Sequence, residues 1–303
     1  MASVSLQDRL ILGFNPLLGM DHYLRERSRD PQRIRSRSEV IEVVAEAVHA
    51  GAQGFNLNSG PETARLLTEL GQRGLDHEVG LYPIVPDERF FGSLLNHGTI
   101  GAASAVLSGL SVAGRAKALL SGGWAYLTHD PFRAVDAYFG IEIERLDRAA
   151  RGFGKVRTLL VHELITDALV GIGATEPLVK FVDLIQTNYA IPPGFVTRNL
   201  CRFVNFAKEA GIDPRSLVLL TPVNSAGFQM APSREAVEGE LASLGGENVI
   251  AMSIFGAGMI PISEALDYLR KIRGVRSVAV GVSTKEHART TFTLLQSVAT
   301  LAH

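Results

Sequence analysis

Short, almost continuously apolar runs recur along the chain, separated by longer stretches in which apolar residues return every three or four positions. Eight runs read as strands: Leu10 to Phe14, Gln53 to Leu57, Glu78 to Ile84, Ala116 to Ser121, Arg157 to His162, Leu217 to Thr221, Val249 to Ile254, and Ser277 to Val282. Strands covered by helices outside and by one another's side chains inside carry apolar residues at nearly every position, so these runs predict a parallel sheet buried on both faces. The stretches between them open with helix start signals. Ser38 precedes the apolar series Val40, Ile41, Val43 and Val44, and Ser59-Gly60-Pro61-Glu62 combines a cap, an early proline and a first-turn glutamate. Asp130-Pro131 opens a helix that runs on to Arg151, and Ser233 opens one that ends near Gly245-Gly246.

Strand and helix alternate over the whole length, with no linker rich in Pro, Gly or Ser. That order predicts one domain, residues 1–303, folded as a single (β/α)8 TIM barrel, with an open doubly wound sheet as runner-up. A dinucleotide-binding sheet would want G-x-G-x-x-G after its first strand, and Gly13 to Gly19 does not supply that spacing. Two connections are long, 16–37 after the first strand and 163–216 after the fifth, and both should emerge at the rim where barrels carry their chemistry. Within the second, helices are expected over Thr175 to Gln186 and Phe195 to Ala210, with Ile191-Pro192-Pro193-Gly194 as the break between them.

Composition narrows the partners. Thirty Lys and Arg against 31 Asp and Glu leave a formal charge of -1, so no bulk field favours nucleic acid or an anionic membrane. No uncharged run approaches a membrane span, and Met1 to Asp8 lacks a secretory pattern. With one cysteine, Cys201, the chain fits a reducing, cytoplasmic setting. Homo-oligomerisation is left open.

Candidate chemistry gathers at the predicted strand ends. His162 and Glu163 follow the fifth strand, Glu163 as a general base and His162 as a proton exchanger near neutral pH. The structural alternatives are that His162 satisfies a backbone group and that Glu163 pairs with an arginine of the long connection. Tyr82 could donate a proton, and Asn15 and Asn58 could stabilise developing oxygen charge. Trp124 could wall the pocket. Lys117 and Lys155 start strands instead of ending them, so no lysine is set for a Schiff base. No histidine pair has metal-ligand spacing, and no metal is expected. Gly256 and Gly258 after the seventh strand, with Gly281, Ser283 and Thr284 after the eighth, form a candidate cradle for a phosphate or other anion. Ser283-Thr284-Lys285-Glu286 also reads as a capping box, which needs no ligand. Arg25, Arg27, Arg29, Arg33, Arg35 and Arg37 could steer an anion to the mouth, or form a solvated loop.

These features predict an acid/base enzyme, a lyase, an aldolase-like enzyme or an isomerase, acting on a small anionic or phosphorylated substrate without a cofactor. A second class is kept beside it. The segment from Ile254-Phe255-Gly256-Ala257-Gly258 through Glu264 to Leu269 and Val275 to Ser283 resembles the last two barrel units of the aldo-keto reductases. The resemblance implies a TIM barrel that reduces carbonyls with NADPH, the segment after strand eight helping to hold the cofactor phosphate. That family places an aspartate and a tyrosine after strand two, a lysine at the end of strand three and a histidine at strand four. The corresponding stretches here are Asn56 to Glu62, Leu81-Tyr82-Pro83-Ile84 and Leu119-Leu120-Ser121-Gly122, which match none of them. The resemblance therefore implies a reductase with a non-standard proton donor. A non-catalytic binding barrel is the third class.

Overall fold

A computed structural model describes residues 3–18, 36–74, 78–86 and 131–299. Eight parallel strands close into a barrel: β1 (Leu10–Gly13), β2 (Gly54–Asn58), β3 (Val79–Val85), β4 in two short segments (Gly154–Val156 and Leu159–Val161), β5 (Pro193–Val196), β6 (Val218–Pro222), β7 (Val249–Met252) and β8 (Ser277–Gly281). Each strand pairs with the next, and the ring closes where Leu10 to Gly13 meets Val278 to Gly281. Nine helices among the described residues cover it: α1 (Arg37–His49), α2 (Pro61–Gln72), α3 (Pro131–Ala149), α4 (Glu163–Ile172), α5 (Thr175–Tyr189), α6 (Leu200–Glu209), α7 (Arg234–Leu244), α8 (Ile262–Lys271) and α9 (Lys285–Ala299).

Alternation along each strand makes two cores. Leu10, Leu12, Phe55, Leu57, Leu159, Val161, Phe195, Leu219, Val249 and Ala251 face the helices, while Ile11, Tyr82, Leu160, Val196, Val218, Leu220, Ile250 and Ala279 fill the barrel. A Cβ on Gly54 would lie 2.8 Å from the Tyr82 ring, so a glycine in β2 lets that ring lie across the interior. Residues 3–9 then seal the N-terminal end. Leu6 packs into the interior cluster, its amide donates to the Glu247 carbonyl at 2.9 Å, and the Val4 amide donates to the Arg215 carbonyl at 2.8 Å.

Two expectations about strand order need correction. The run Ala116 to Ser121 lies outside the described residues, and the ring closes without it, because β3 pairs directly with both segments of β4. The run beginning at Arg157 is therefore the fourth strand. The missing member is β5, Pro193–Val196, where the sequence predicts the end of a break at Pro193-Gly194 and the start of a helix at Phe195. A Cβ on Gly194 would meet Leu160 Cδ2 at 2.7 Å and Thr158 Oγ1 at 2.8 Å, so the residue that signals a break is the one that lets β5 approach β4. Residues 163–216 thus hold α4, α5, β5 and α6 instead of a single rim insertion, and the element beyond the usual one helix per strand is α4.

Several caps fall where the signals put them, others shift slightly. Ser233 caps α7 and Gly245 ends it in the left-handed region, whereas α1 is capped by Ser36 in a capping box with Glu39, two residues before Ser38. Gly60, at φ 123°, stands at the cap position of α2, so Ser59 does not cap it.

Candidate active site at the C-terminal rim

His162 is where β4 becomes α4. Leu160 faces the interior, so His162, two residues on, continues inward over the mouth and is buried. Its Nδ1 accepts the Leu164 amide at 3.1 Å and so caps α4. A ring nitrogen that accepts cannot carry the proton, so the neutral imidazole holds its hydrogen on Nε2 and presents that nitrogen as a donor.

Glu163 and Asp167 lie one turn apart on α4, and both reach the end of β5. Glu163 Oε1 accepts from Arg198 Nε at 3.2 Å and Nη2 at 2.5 Å. Asp167 Oδ1 accepts from the Thr197 hydroxyl at 2.6 Å, and its Oδ2 from the Arg198 amide at 3.3 Å. Of the two readings of Glu163, the pairing with an arginine of the long connection describes its geometry. Arg198 and Thr197 went unnoticed in the sequence because β5 did. The available signal was Asn199, whose side chain accepts the Arg202 amide and caps α6 directly after the Phe195-Val196 pair.

On β2, Phe55 and Leu57 face outward, so Asn56 and Asn58 face the interior. Asn56 donates to the Tyr82 carbonyl at 2.8 Å, while Asn58 is half-buried at the strand end. The Ser59 hydroxyl beside it is buried without a partner. Asn15 opens the 3-10 turn Asn15–Leu18 directly after β1. Tyr82 is not part of this rim. Its hydroxyl points to the opposite end of the barrel and donates to Asp8 Oδ2 at 2.7 Å, and burial next to that carboxylate pushes the phenol far above its ordinary range. Trp124 and Arg25 to Arg35 lie outside the described residues. Arg37 is held by Glu62 at 2.8 Å and Glu69 at 3.0 Å.

The expected anion cradle is only partly built. After β7 the chain makes tight turns, with Ser253 and Ala257 in the left-handed region beside Gly256 and Gly258. The Gly256 amide donates to the Ser253 carbonyl and the Gly258 amide to the Phe255 carbonyl, both at 2.8 Å, so neither is directed at a ligand. Gly281 is explained by packing, since a Cβ there would lie 2.5 Å from Pro16 Cγ. At α9 the cap is Thr284, whose hydroxyl oxygen accepts the His287 amide at 3.0 Å. Ser283 is thereby left out of the cap, and Lys285 and Arg289 lie on the first turns of the helix that follows it. No group of metal-binding side chains occurs among the described residues, and no described helix is long and apolar enough to cross a membrane.

The sequence matches no protein-family model and no curated protein. Solved structures share the fold. A Pseudomonas aeruginosa protein described as an aldo-keto reductase aligns over 99% of this chain and 90% of its own, at 14% identity and TM-score 0.55. A protein described as a 2,5-diketo-D-gluconic acid reductase B aligns over 100% and 92%, at 13% identity and TM-score 0.53. An aldo/keto reductase of Brucella melitensis aligns over 99% and 98%, at 11% identity and TM-score 0.51. A further neighbour, at 12% identity and TM-score 0.51, was solved with NADPH bound. The chain therefore has an aldo-keto-reductase-like TIM barrel. The lyase, aldolase-like or isomerase expectation gives way to these neighbours, which are reductases, and two of the groups it relied on, Glu163 and Tyr82, are engaged with Arg198 and Asp8.

Proposed function

We propose that this barrel is an NADPH-dependent oxidoreductase acting on carbonyl substrates. The observation that carries the reading is His162. With β4 in its place, the fourth strand leads directly into a histidine, the residue type that the resemblance expects there, and the cap on α4 occupies its Nδ1 and leaves Nε2 to carry the hydrogen. Bound NADPH supplies hydride to a carbonyl carbon. The chain's part is to hold the carbonyl oxygen, and His162 Nε2 donates a hydrogen bond where negative charge develops, as a neutral histidine at a helix N-terminus can. Asn58, half-buried at the end of β2 and facing the interior, is the second donor. The proton that completes the alcohol comes from solvent.

The groups at the start of α9 suit the cofactor's phosphate monoester. Ser283 is outside the cap, and Lys285 and Arg289, four residues apart, lie on one helix face. Lys285 is 57% exposed and touches Glu42 only at 3.4 Å, so a phosphate dianion can draw it away. Gly256 and Gly258 are not assigned to the phosphate, because their amides close their own turns.

Titration with NADPH, followed by NADPH oxidation over a panel of aldehydes, ketones and 2-oxo acids, tests the reading. Saturable binding with turnover of a carbonyl is expected, and His162→Gln should lower kcat by about 10²-fold, the usual effect of losing one oxyanion donor. Absence of binding at millimolar NADPH would sink the proposal.

A further inference from the structure

We infer that Glu163 and Arg198 form a specificity-determining pair that recognises a hydroxyl on the carbon next to the substrate carbonyl. The inference rests on the reduction proposed above for the identity of the reacting carbonyl. The pair itself is argued from its own geometry.

Backbone contacts fix Arg198 from two sides. The Thr197 amide donates to the Leu220 carbonyl at 3.1 Å, so the pairing of β5 with β6 continues one residue past Val196. Thr197 follows Phe195 toward the helices, as its hydroxyl bond to Asp167 on α4 requires, and Arg198 follows Val196 toward the barrel axis. Its amide donates to Asp167 Oδ2 at 3.3 Å, and its carbonyl accepts the Ala231 amide at 3.2 Å. The guanidinium therefore leaves the chain from a held point on the rim. There it meets Glu163, the residue directly after His162.

The way the two side chains meet engages only part of each. Arg198 gives its side-on donors, Nε and Nη2, to the single oxygen Oε1. A fork-to-fork pair would use both carboxylate oxygens. Here the second oxygen, Oε2, and the end-on edge of the guanidinium at Nη1 stay outside the pair, so an acceptor and a donor edge stand side by side. The two side chains are 21% and 35% exposed, sheltered without being closed off.

That combination selects a ligand. A hydroxyl accepts and donates at once, so it can take a hydrogen from Nη1 and give its own to Oε2. A carboxylate only accepts, and it would meet a guanidinium already balanced by Glu163, with Asp167 as a second carboxylate close by. An alkyl group would satisfy neither atom and would exclude the water that otherwise does. Neighbouring strands lie roughly 5 Å apart, so a carbonyl held beside His162 brings its adjacent carbon to the pair at the end of β5. Lys285 and Arg289 follow β8, across the ring, and leave this side of the mouth to the substrate.

The test measures kcat/KM on the full chain with NADPH for three ketones. Hydroxyacetone carries the hydroxyl, butanone has a methyl in its place, and pyruvate has a carboxylate in place of the hydroxymethyl group. Saturation-transfer NMR of the same compounds without cofactor follows their binding apart from turnover. The wild type should prefer hydroxyacetone to butanone by about tenfold to a hundredfold, the range of a hydrogen bond to a charged group. Glu163→Gln keeps the shape and an acceptor for Arg198 but replaces Oε2 with an amide donor, so the preference should move from hydroxyacetone toward pyruvate. Arg198→Met should remove the advantage over butanone. A pair that only braces the fold would lower all three compounds alike, and that result overturns the inference. So does a wild type without preference for hydroxyacetone in either measurement, or a folded Glu163→Gln with unchanged preferences. A preference in binding without any NADPH oxidation keeps the pair and overturns the reductase reading. If Arg198→Met does not fold, Glu163→Gln alone decides.

Discussion

At the scale of single residues, the barrel base shows how one carboxylate can carry a pH dependence. Asp8 accepts the Tyr82 hydroxyl and lies 3.9 Å from Arg157 Nε, yet burial outweighs both and raises its pKa from the ordinary 3.8. A carboxylate raised by folding binds its proton more tightly in the native state. Its stabilising contribution is complete below pH 3.8 and is lost as the pH rises through the native value. Asp8→Asn keeps an acceptor for Tyr82 and removes the titration, so the variant should gain on the wild type as pH rises through that window, from 3.8 to the raised native value, and hold a constant margin above it. Urea melts at closely spaced pH values would show it, and parallel curves would contradict the assignment. Tyr82→Phe should instead cost about 1–3 kcal/mol at neutral pH, because the buried carboxylate loses its donor. Neither change should affect NADPH binding, since both groups sit at the end of the barrel opposite the rim.

At the scale of elements, the start of α9 separates architecture from chemistry between two neighbouring hydroxyls. The spacing of Ser283 and Glu286 suggested that Ser283 was the cap, but the helix begins one residue later and Thr284 takes that place. Thr284→Ala should therefore destabilise the protein by about 1 kcal/mol. Ser283→Ala should leave stability within about 0.5 kcal/mol, as surface changes away from such features do, and weaken NADPH binding. Thermal melts with and without cofactor distinguish the two, and a reversed pattern would return the cap to Ser283. Glycine behaves in the same double way in the strands. Pro193-Gly194 has the composition of a turn, and nothing local to the chain reveals that the strand beside it carries a leucine and a threonine needing that space. Pro192, just before β5, offers its carbonyl to the Thr158 hydroxyl at 2.7 Å, another contact that exists only between strands.

For the whole molecule, closure depends on a stopper at the end away from the chemistry. Leu6 belongs to the same interior cluster as Ile11, Leu160 and Ile250, although it precedes every strand. Leu6→Ala would leave a cavity under the barrel core and should cost about 2–5 kcal/mol, measurable by denaturant unfolding, with the rim and NADPH affinity unchanged. A cost below 1 kcal/mol would show that residues 3–9 merely cover the base. The arrangement divides the molecule into a sealed N-terminal end that carries stability and an opposite rim, formed by His162, Asn58 and the start of α9, that is free to carry function.

The alternation of continuously apolar runs with stretches of helical period determined the architecture, because a parallel barrel needs strands apolar on both faces and amphipathic helices between them, and both signals are local. It also put His162, Glu163 and Asn58 at strand ends. The identity of the fourth and fifth strands was decided by tertiary contact. A four-residue strand holding proline and glycine has no periodicity to read, and its place follows from pairing with β4 and β6. The same is true of chemical role. Glu163 as base and Glu163 as the partner of an arginine are the same residue in sequence, and only the approach of Arg198 across the gap between two strands distinguishes them. Tyr82 sits near a strand end in the sequence, but its side chain reaches the barrel base because Gly54 makes room and Asp8 waits there with an acceptor. Residue type and order were legible in the chain, whereas which groups meet depended on closure of the ring.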